Sequence, residues 1–322
     1  MRMKIGAVII GTCTAAVALF LSAPAARATD AAAVAPAEIV DPWNDDYIPI
    51  HPDRDPDLYR AVFDPPQPGE CPAVVVIAAR GSEQNTQIRP TRYSPEAPWT
   101  SNGFEEKVFK YLFRQLEAEH LRSTGESLMK DVYVMGLTDR EYPASFPLRS
   151  PGSSAIEFPV SVSSGRASVV DAADRFEDST GCTPKYLLAG YSQGTLVVGD
   201  QAQDFIDRDQ YVGTFLLANP AQYPGDPSIV GAEPISSGLT SSLGLPRNRD
   251  EHTISYCRIG DIVCDSSPGQ FLVAGSTALS SAVIPARSNS GSSHTLYFTE
   301  DDRYDKEVLD ALAGWIVQAR ES

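Results

Sequence analysis

The stretch that decides the fold is "KYLLAGYSQGTLVVGD", residues 185–200, in which a short apolar run is interrupted by a serine between two glycines. A continuous strand gains nothing from Gly190 and Gly194, and a helix is weakened by them. A sharp strand-to-helix turn needs both, because a nucleophile there adopts strained backbone angles and neighbouring side chains would clash. The stretch therefore predicts that Ser192 projects from such a turn as a nucleophile.

Strand and helix patterns alternate on both sides of this turn. The β-branched apolar run 73–79 predicts a strand that is buried on both faces. Further strands are predicted at 132–137, 186–189 and 211–218, and helices at 104–116, 167–176, 195–205 and from Thr299 and Asp302 onward. This alternation predicts an α/β fold with a mainly parallel sheet and helices on both faces.

The amino terminus has the pattern of a secretory signal. A basic head precedes the apolar run 5–23, and residues 26–28 form a small-x-small cleavage site. We interpret residues 1–28 as a signal peptide and expect a secreted protein. An uncleaved anchor is the alternative, because a membrane-spanning helix needs about 20 apolar residues.

The mature chain is strongly acidic. The formal charge is −16, and loss of residues 1–28 removes three basic residues and no acid, which leaves −19. Such a chain repels nucleic acid and anionic lipid surfaces, so we expect no nucleic-acid partner.

Residues 29–70 differ in composition from the rest of the chain. They hold eight prolines and ten acids against two arginines, so they cannot form a core unaided. We interpret them as an acidic arm or linker that either docks on the domain or contacts a partner, with cell-envelope contact as one option. Docking would use the aromatic residues Trp43, Tyr47, Tyr59 and Phe63. Residues 71–322 are long enough for one α/β domain with a full core.

Four cysteines remain after Cys13 leaves with the signal, namely Cys71, Cys182, Cys257 and Cys264. An even number in an exported protein indicates two disulfides, for which three pairings exist. No CxxC spacing of the metal-binding type occurs among them, and we expect no metal site.

A serine hydroxyl is a poor nucleophile at neutral pH, so Ser192 needs a histidine, and the histidine needs an orienting acid. In doubly wound hydrolases the chain order is nucleophile, acid, histidine. His51 lies in the acidic arm, His120 lies near acids at a helix end, and His252 precedes a strand-like run. Only His294 lies late enough in the chain for a candidate acid to stand between it and Ser192.

The candidate acid is Asp261, in "CRIGDIVC", residues 257–264. Two cysteines this close indicate a loop tied by its own disulfide, which would hold the carboxylate rigidly. An ordinary turn with an Asx-type hydrogen bond explains the fragment equally well.

Together these motifs resemble the cutinase family, in particular its bacterial branch. The resemblance rests on "GYSQG" at 190–194, the Asp261 loop, His294 followed by Tyr297, and "CPAVVVIAARGS" at 71–82. It covers most of the mature chain. A bare G-x-S-x-G pattern is weakly specific, whereas the other motifs in combination are much rarer.

The resemblance implies a serine carboxylester hydrolase without metal or organic cofactor. Ser192 would be the nucleophile, His294 the general base and Asp261 the orienting acid. The backbone N–H of Gln193 and the backbone and hydroxyl of Ser82 would form the oxyanion hole. The implied fold is a compact three-layer sandwich with about five strands, and the implied disulfides are Cys71–Cys182 and Cys257–Cys264.

Two departures from the family pattern affect the expected site. Residues 83–87 replace a glycine-richer loop, so the wall of the oxyanion hole is expected to differ. The interval from Asp261 to His294 is also longer than in compact members. We hypothesise that 223–250 and 265–293 form a lid or acyl groove for a bulky lipid, and decoration without a role is the equal alternative.

The expected substrates are esters or lipids, including triacylglycerols, phospholipids and mycolyl esters of trehalose. Acyl transfer to a sugar hydroxyl would use the same residues. A non-catalytic envelope-binding protein is the alternative from another class, since a fold does not establish an activity. A monomer is the default expectation.

Overall fold

In the part of the chain that the structure describes, the centre of the fold is a six-stranded sheet in which every pairing is parallel. The computed structural model describes residues 48–146, 156–244, 251–266, 293–299 and 303–322. The strands are β1 (Val74–Ala79), β2 (Val132–Gly136), β3 (Lys185–Tyr191), β4 (Tyr211–Leu217), β5 (Ile229–Gly231) and β6 (Thr253–Cys257). They lie in the order β2-β1-β3-β4-β6-β5.

Helices cover both faces of this sheet. They are α1 (Pro56–Val62), α2 (Glu106–Thr124), α3 (Glu157–Thr180), α4 (Thr195–Val198), α5 (Ala202–Asp207) and α6 (Arg303–Glu321). Along β1, Val74 and Val76 belong to the cluster formed with α2 and α6, whereas Val75 and Ile77 belong to the cluster formed with α3, α4 and α5. Since both faces of the strand are covered, every residue of β1 is buried and the strand needs no polar face.

The predicted α/β class and parallel sheet are confirmed, with one strand more than the expected five. The additional strand, β5, lies within residues 223–250, one of the two segments hypothesised to form a lid or acyl groove. It has only three residues and pairs with β6 at the edge of the sheet. A strand this short shows no periodicity in the sequence.

The single helix predicted over 195–205 was wrong, because the structure has two short helices there. α4 ends at Val198 and α5 begins at Ala202. Gly199 follows α4, where a glycine disfavours continuation of the helix, and Asp200 forms an ion pair with Arg166 of α3. The helix predicted over 167–176 was too short, because α3 extends over Glu157–Thr180.

The described part of the acidic segment, residues 48–70, packs against the domain. Ile50 is buried and its N–H donates to Ile88 O at 2.7 Å. Tyr59, on α1, is also buried, and its hydroxyl donates to Asn102 O at 2.8 Å. Trp43 and Tyr47 lie outside the described residues.

The predicted signal peptide and most of the predicted lid segments also lie outside the described residues. Of the capping residues predicted for the last helix, Asp302 lies outside them, and Thr299 donates to Leu296 O at 2.8 Å. Among the helices that the structure describes, none is both long and apolar enough to cross a membrane.

Candidate active site

Ser192 lies at the carboxyl end of β3, in a short 3₁₀ turn that leads directly into α4. Its φ is 52°, a left-handed value that is uncommon for a residue other than glycine. A Cβ on Gly190 would lie 2.6 Å from Gly194 O, and a Cβ on Gly194 would lie 1.9 Å from Ala79 O. Both glycines are therefore required by the close approach of the turn to its neighbours.

His294 bridges Ser192 and Asp261. Its Nε2 lies 3.2 Å from Ser192 Oγ, and its Nδ1 lies 2.9 Å from Asp261 Oδ2 and 3.1 Å from Oδ1. The Asp261 side chain is fully buried and that of His294 is 23% exposed. The structure thus brings together the three residues that the sequence predicts as nucleophile, base and acid.

The loop that carries Asp261 combines both readings of the "CRIGDIVC" fragment. The Cys257–Cys264 disulfide closes the loop next to the end of β6. Asp261 Oδ1 also accepts the N–H of Val263 at 3.0 Å, which is an Asx-type bond. Its Oδ2 accepts the hydroxyl of Tyr297 at 2.6 Å. The carboxylate is therefore held from several directions.

These contacts set the ionisation of Asp261. Burial alone would raise its pKa, but the charge of His294 and the hydrogen bonds from His294, Tyr297 and Val263 outweigh burial and hold the pKa below its ordinary value. Asp261 is therefore a carboxylate at neutral pH, and it accepts the proton on His294 Nδ1. The Nε2 atom is then left as an acceptor for the Ser192 hydroxyl.

The segment that carries His294 is anchored by side chains that the sequence analysis did not assign to the site. The Tyr191 hydroxyl donates to His294 O at 2.6 Å, and the two rings stack with centroids 5.1 Å apart. The guanidinium of Arg258 donates to Leu296 O. Tyr191 precedes the nucleophile within the quoted stretch, so its position was the only available signal.

The other three histidines lie elsewhere. His51 is buried, and its Nε2 lies 3.0 Å from Asp139 Oδ2. His120 lies in α2. His252 Nδ1 lies 3.2 Å from Val212 O.

The predicted oxyanion-hole residue Ser82 lies in the turn that follows β1. Neighbouring polar side chains fix this turn. Gln84 Oε1 accepts the N–H of Gly81 at 2.8 Å, and Glu83 Oε1 accepts the N–H of Phe146 at 2.6 Å. The residues that depart from the family pattern at 83–87 thus fasten the loop.

A buried arginine also holds the loop at residues 83–87 in place. Arg80 is completely buried, and its guanidinium donates to Asn85 Oδ1 at 2.7 Å, to Tyr142 O at 2.8 Å and to Asp139. His51 contacts that same Asp139, so the acidic segment reaches the support of the loop. The local sequence around Arg80 and His51 does not predict this role for either residue.

Gln193, the second predicted oxyanion-hole residue, has a buried side chain that is held at both ends. Its Oε1 lies 2.8 Å from the Tyr142 hydroxyl, and its Nε2 donates to Ser145 O at 2.9 Å. The Tyr142 hydroxyl is also 3.0 Å from Arg80 O. Tyr142 therefore connects the turn after β3 with the turn after β1.

The structure contains both disulfides that the resemblance implies. Cys71–Cys182 joins the residues before β1 to the residues before β3, and Cys257–Cys264 closes the Asp261 loop. Among the described residues, no group of three or more His, Cys, Asp and Glu side chains is arranged to hold a metal ion.

The described part of the first predicted lid segment, residues 223–244, lies beside the Asp261 loop. Leu239 N–H donates to Val263 O at 3.0 Å, and Ser237 pairs with Ser266 in an isolated antiparallel bridge. Ile235 and Leu243 in this segment are largely exposed. Residues 245–250 and 267–292 lie outside the described part, so the lid stays a prediction.

Comparison with solved structures finds similar chains among esterases. A cutinase-like protein from Cryptococcus sp. is 17% identical, and the match covers 79% of this chain and 98% of that chain with a TM-score of 0.47. The catalytic core domain of acetyl xylan esterase from Trichoderma reesei is 16% identical, with 76% and 100% coverage and a TM-score of 0.44. A Trichoderma reesei cutinase in complex with a phosphonate inhibitor is 16% identical, with 81% and 82% coverage and a TM-score of 0.37. No protein-family model and no curated protein matches the sequence.

Proposed function

We propose that this protein is a secreted serine hydrolase that cleaves carboxylic esters through an acyl-enzyme intermediate. The observation that carries the proposal is the position of His294 between Ser192 Oγ, at 3.2 Å, and Asp261 Oδ2, at 2.9 Å. A nucleophile within reach of a base that is itself oriented by an acid is the arrangement that nucleophilic acyl transfer requires.

In the first half of the reaction, Ser192 Oγ attacks the ester carbonyl carbon while its proton passes to His294 Nε2. Asp261 holds the imidazole in the tautomer that accepts this proton and stabilises the imidazolium that forms. The intermediate then collapses as the bond to the alcohol oxygen breaks, and that oxygen takes the proton from Nε2. The acyl group remains on Ser192.

In the second half, water replaces the alcohol. His294 takes a proton from the water as its oxygen attacks the acyl-enzyme carbonyl carbon, and it returns that proton to Ser192 as the acid leaves. The backbone N–H of Gln193 and the backbone and hydroxyl of Ser82 are proposed to stabilise the negative oxygen in both halves. A donor in such a position contributes about 3 kcal/mol to transition-state stabilisation.

Two observations support the proposed donors. The Gln193 side chain is fixed between Tyr142 and Ser145, so the backbone of this residue has little freedom to turn. The turn that carries Ser82 is fastened by the hydrogen bond from Gly81 N–H to Gln84 Oε1, at 2.8 Å. Preorganised donors are effective because they need no rearrangement when the charge develops.

Secretion is supported by the two disulfides, which persist in oxidising compartments, and by the signal-like amino terminus. The proposed substrates are neutral esters or lipids rather than polyanions, because the mature chain is strongly acidic and repels negative charge.

The proposal is tested by hydrolysis of p-nitrophenyl esters of increasing acyl length by residues 29–322. Ser192→Ala is expected to lower kcat by at least about 10⁴-fold, because the nucleophile is lost. Ser123→Ala is the matched control, since this exposed serine lies in α2 and donates to His120 O, and it should retain full activity. Equal rates for Ser192→Ala and the parent protein would sink the proposal. Addition of a sugar acceptor would reveal acyl transfer as an acyl-sugar product.

A further inference from the structure

Tyr297 is buried directly behind the proposed catalytic acid. Its side chain is 1% exposed, and its hydroxyl lies 2.6 Å from Asp261 Oδ2. The same carboxylate oxygen lies 2.9 Å from His294 Nδ1. One oxygen of Asp261 therefore serves both the imidazole and the phenol.

The direction of the Tyr297 hydrogen bond follows from its partners. The backbone N–H of Arg258 can only donate, and it lies 3.1 Å from the Tyr297 oxygen. Asp261 is ionised and can only accept, so the phenol proton points to the carboxylate. Burial, together with the charge of Asp261, raises the pKa of Tyr297 well above its ordinary value, and the phenol keeps its proton.

We propose that Tyr297 is a positioning residue for the acid of the site. Its hydroxyl links the backbone after β6, at Arg258, to Asp261 Oδ2 and keeps that oxygen aligned with His294 Nδ1. It also withdraws part of the negative charge of the carboxylate, since a donated hydrogen bond stabilises the charged form. This inference rests on the proposed esterase function, and Tyr297 itself does not touch the substrate.

If Tyr297 had a purely structural role, the packing of its ring would carry that role. The Tyr297 ring packs edge-on against Tyr256, with centroids 5.1 Å apart. Tyr297→Phe keeps this ring and removes only the hydroxyl. Tyr256→Phe is the matched control, because Tyr256 is equally buried and its hydroxyl donates at 2.6 Å to a carboxylate outside the site, Asp305.

The test combines proton NMR with kinetics on residues 29–322. NMR follows the low-field resonance of the His294 Nδ1 proton, which does not depend on turnover. In Tyr297→Phe this resonance should move downfield, because Asp261 Oδ2 loses one donor and binds the imidazole proton more strongly. We expect kcat to fall about tenfold, because Asp261 Oδ2 is no longer held in line with His294 Nδ1 and orients the imidazole less well, with KM unchanged within about twofold.

The pH profile of kcat/KM is a second readout, because a loss of packing alone would leave it unchanged. The acid limb of kcat/KM should shift upward by about half a pH unit in Tyr297→Phe, because the less neutralised carboxylate favours the imidazolium. Tyr256→Phe should leave the resonance and the acid limb unchanged. If Tyr297→Phe keeps the parent resonance, kcat and acid limb, the inference is overturned.

Two further results keep this inference separate from the proposed function. If the parent protein hydrolyses no ester, the proposed function fails, and the resonance alone decides whether Tyr297 acts on Asp261. If Tyr297→Phe does not fold, uniform 3-fluorotyrosine incorporation preserves every ring and strengthens phenol donation. It should then move the resonance upfield, and an unchanged resonance would overturn the inference.

Discussion

Ser192 lies at the end of the buried strand β3, whereas Asp261 and His294 lie in two surface segments with no strand and no long helix. The two regions hold their residues by different means. The turn at Ser192 is fixed by backbone contact, since a side chain at Gly190 or Gly194 would overlap neighbouring backbone atoms. The other two residues are fixed by a disulfide and by side-chain hydrogen bonds.

This difference indicates how each region should respond to change. Backbone contacts inside a packed sheet leave no room for adjustment, because protein interiors are close-packed. Around Asp261, by contrast, one hydrogen bond or the disulfide can be lost while the remaining contacts still hold the residue. Substitutions in the turn should therefore abolish activity, while substitutions around Asp261 should reduce it in steps.

The largest effect is expected for Gly194→Ala. Its Cβ would lie 1.9 Å from Ala79 O, so β1 and the turn must separate. We expect esterase activity to fall to the level of Ser192→Ala and the free energy of unfolding to drop by about 3 kcal/mol or more. Ester hydrolysis and chemical denaturation measure the two effects.

Gly314→Ala is the control for this variant, because nothing lies within 4 Å of a Cβ at that position in α6. It should stabilise the protein by about 0.5 to 1 kcal/mol, since alanine favours a helix over glycine. A folded Gly194→Ala protein with parental turnover would show that the turn is not held by backbone contact.

A smaller loss is expected for Asp261→Asn. The amide cannot hold His294 in the required tautomer, and in the serine-protease triad this change costs about 10⁴ in kcat. We expect a fall of about 10³- to 10⁴-fold here, measured with the ester series. Retention of more than about a tenth of the parental kcat would contradict the role assigned to Asp261.

The Asp261–His294 contact also predicts that the free energy of unfolding depends on pH. The pKa of Asp261 lies below its ordinary 3.8, so its carboxylate stabilises the fold above that pH. This contribution is lost as the pH falls through the lowered pKa. The difference in unfolding free energy between the parent and Asp261→Asn should have its full value above about pH 5 and should narrow below about pH 4.

The smallest effects on activity are expected from the two disulfides, and they should separate stability from catalysis. Cys71 and Cys182 are 111 positions apart in the chain, and Cys257 and Cys264 are 7 positions apart. Loop entropy assigns them about 5 and about 2.5 kcal/mol of stability, respectively. Replacing Cys257 and Cys264 with serine should lower kcat about tenfold, because the Asp261 loop loosens.

Replacing Cys71 and Cys182 with serine should leave kcat at low temperature within about twofold while costing the larger share of stability. Denaturation curves of the two double variants measure stability, and their ester-hydrolysis rates measure kcat. If the 71–182 variant stays folded but loses more activity than the 257–264 variant, the proposed separation is wrong.

Much of the sheet could be predicted from local sequence. β1 is apolar at every position because both of its faces are buried, and that continuous pattern is visible without a structure. β5 was missed because three residues at a sheet edge carry no period. The break between α4 and α5 was missed because a single glycine is tolerated inside a helical pattern, so Gly199 alone does not predict a stop.

The candidate site divides in the same way. Ser192, Asp261 and His294 could be proposed from their spacing, chain order and neighbouring glycines or cysteines. Their supports could not, because Tyr142 meets Gln193 across 51 positions and Tyr191 meets His294 across 103. Such contacts depend on how the sheet brings distant strand ends together, and local pattern does not encode that.

The most direct test of the central claim is covalent labelling of residues 29–322 with an alkyl phosphonate ester, followed by mass spectrometry of the digested protein. The Ser192–His294 pair predicts one adduct per chain, located on Ser192, and labelling slower by at least about 10³-fold in His294→Ala. A label on another residue, or equal labelling of the parent and His294→Ala, would contradict the account.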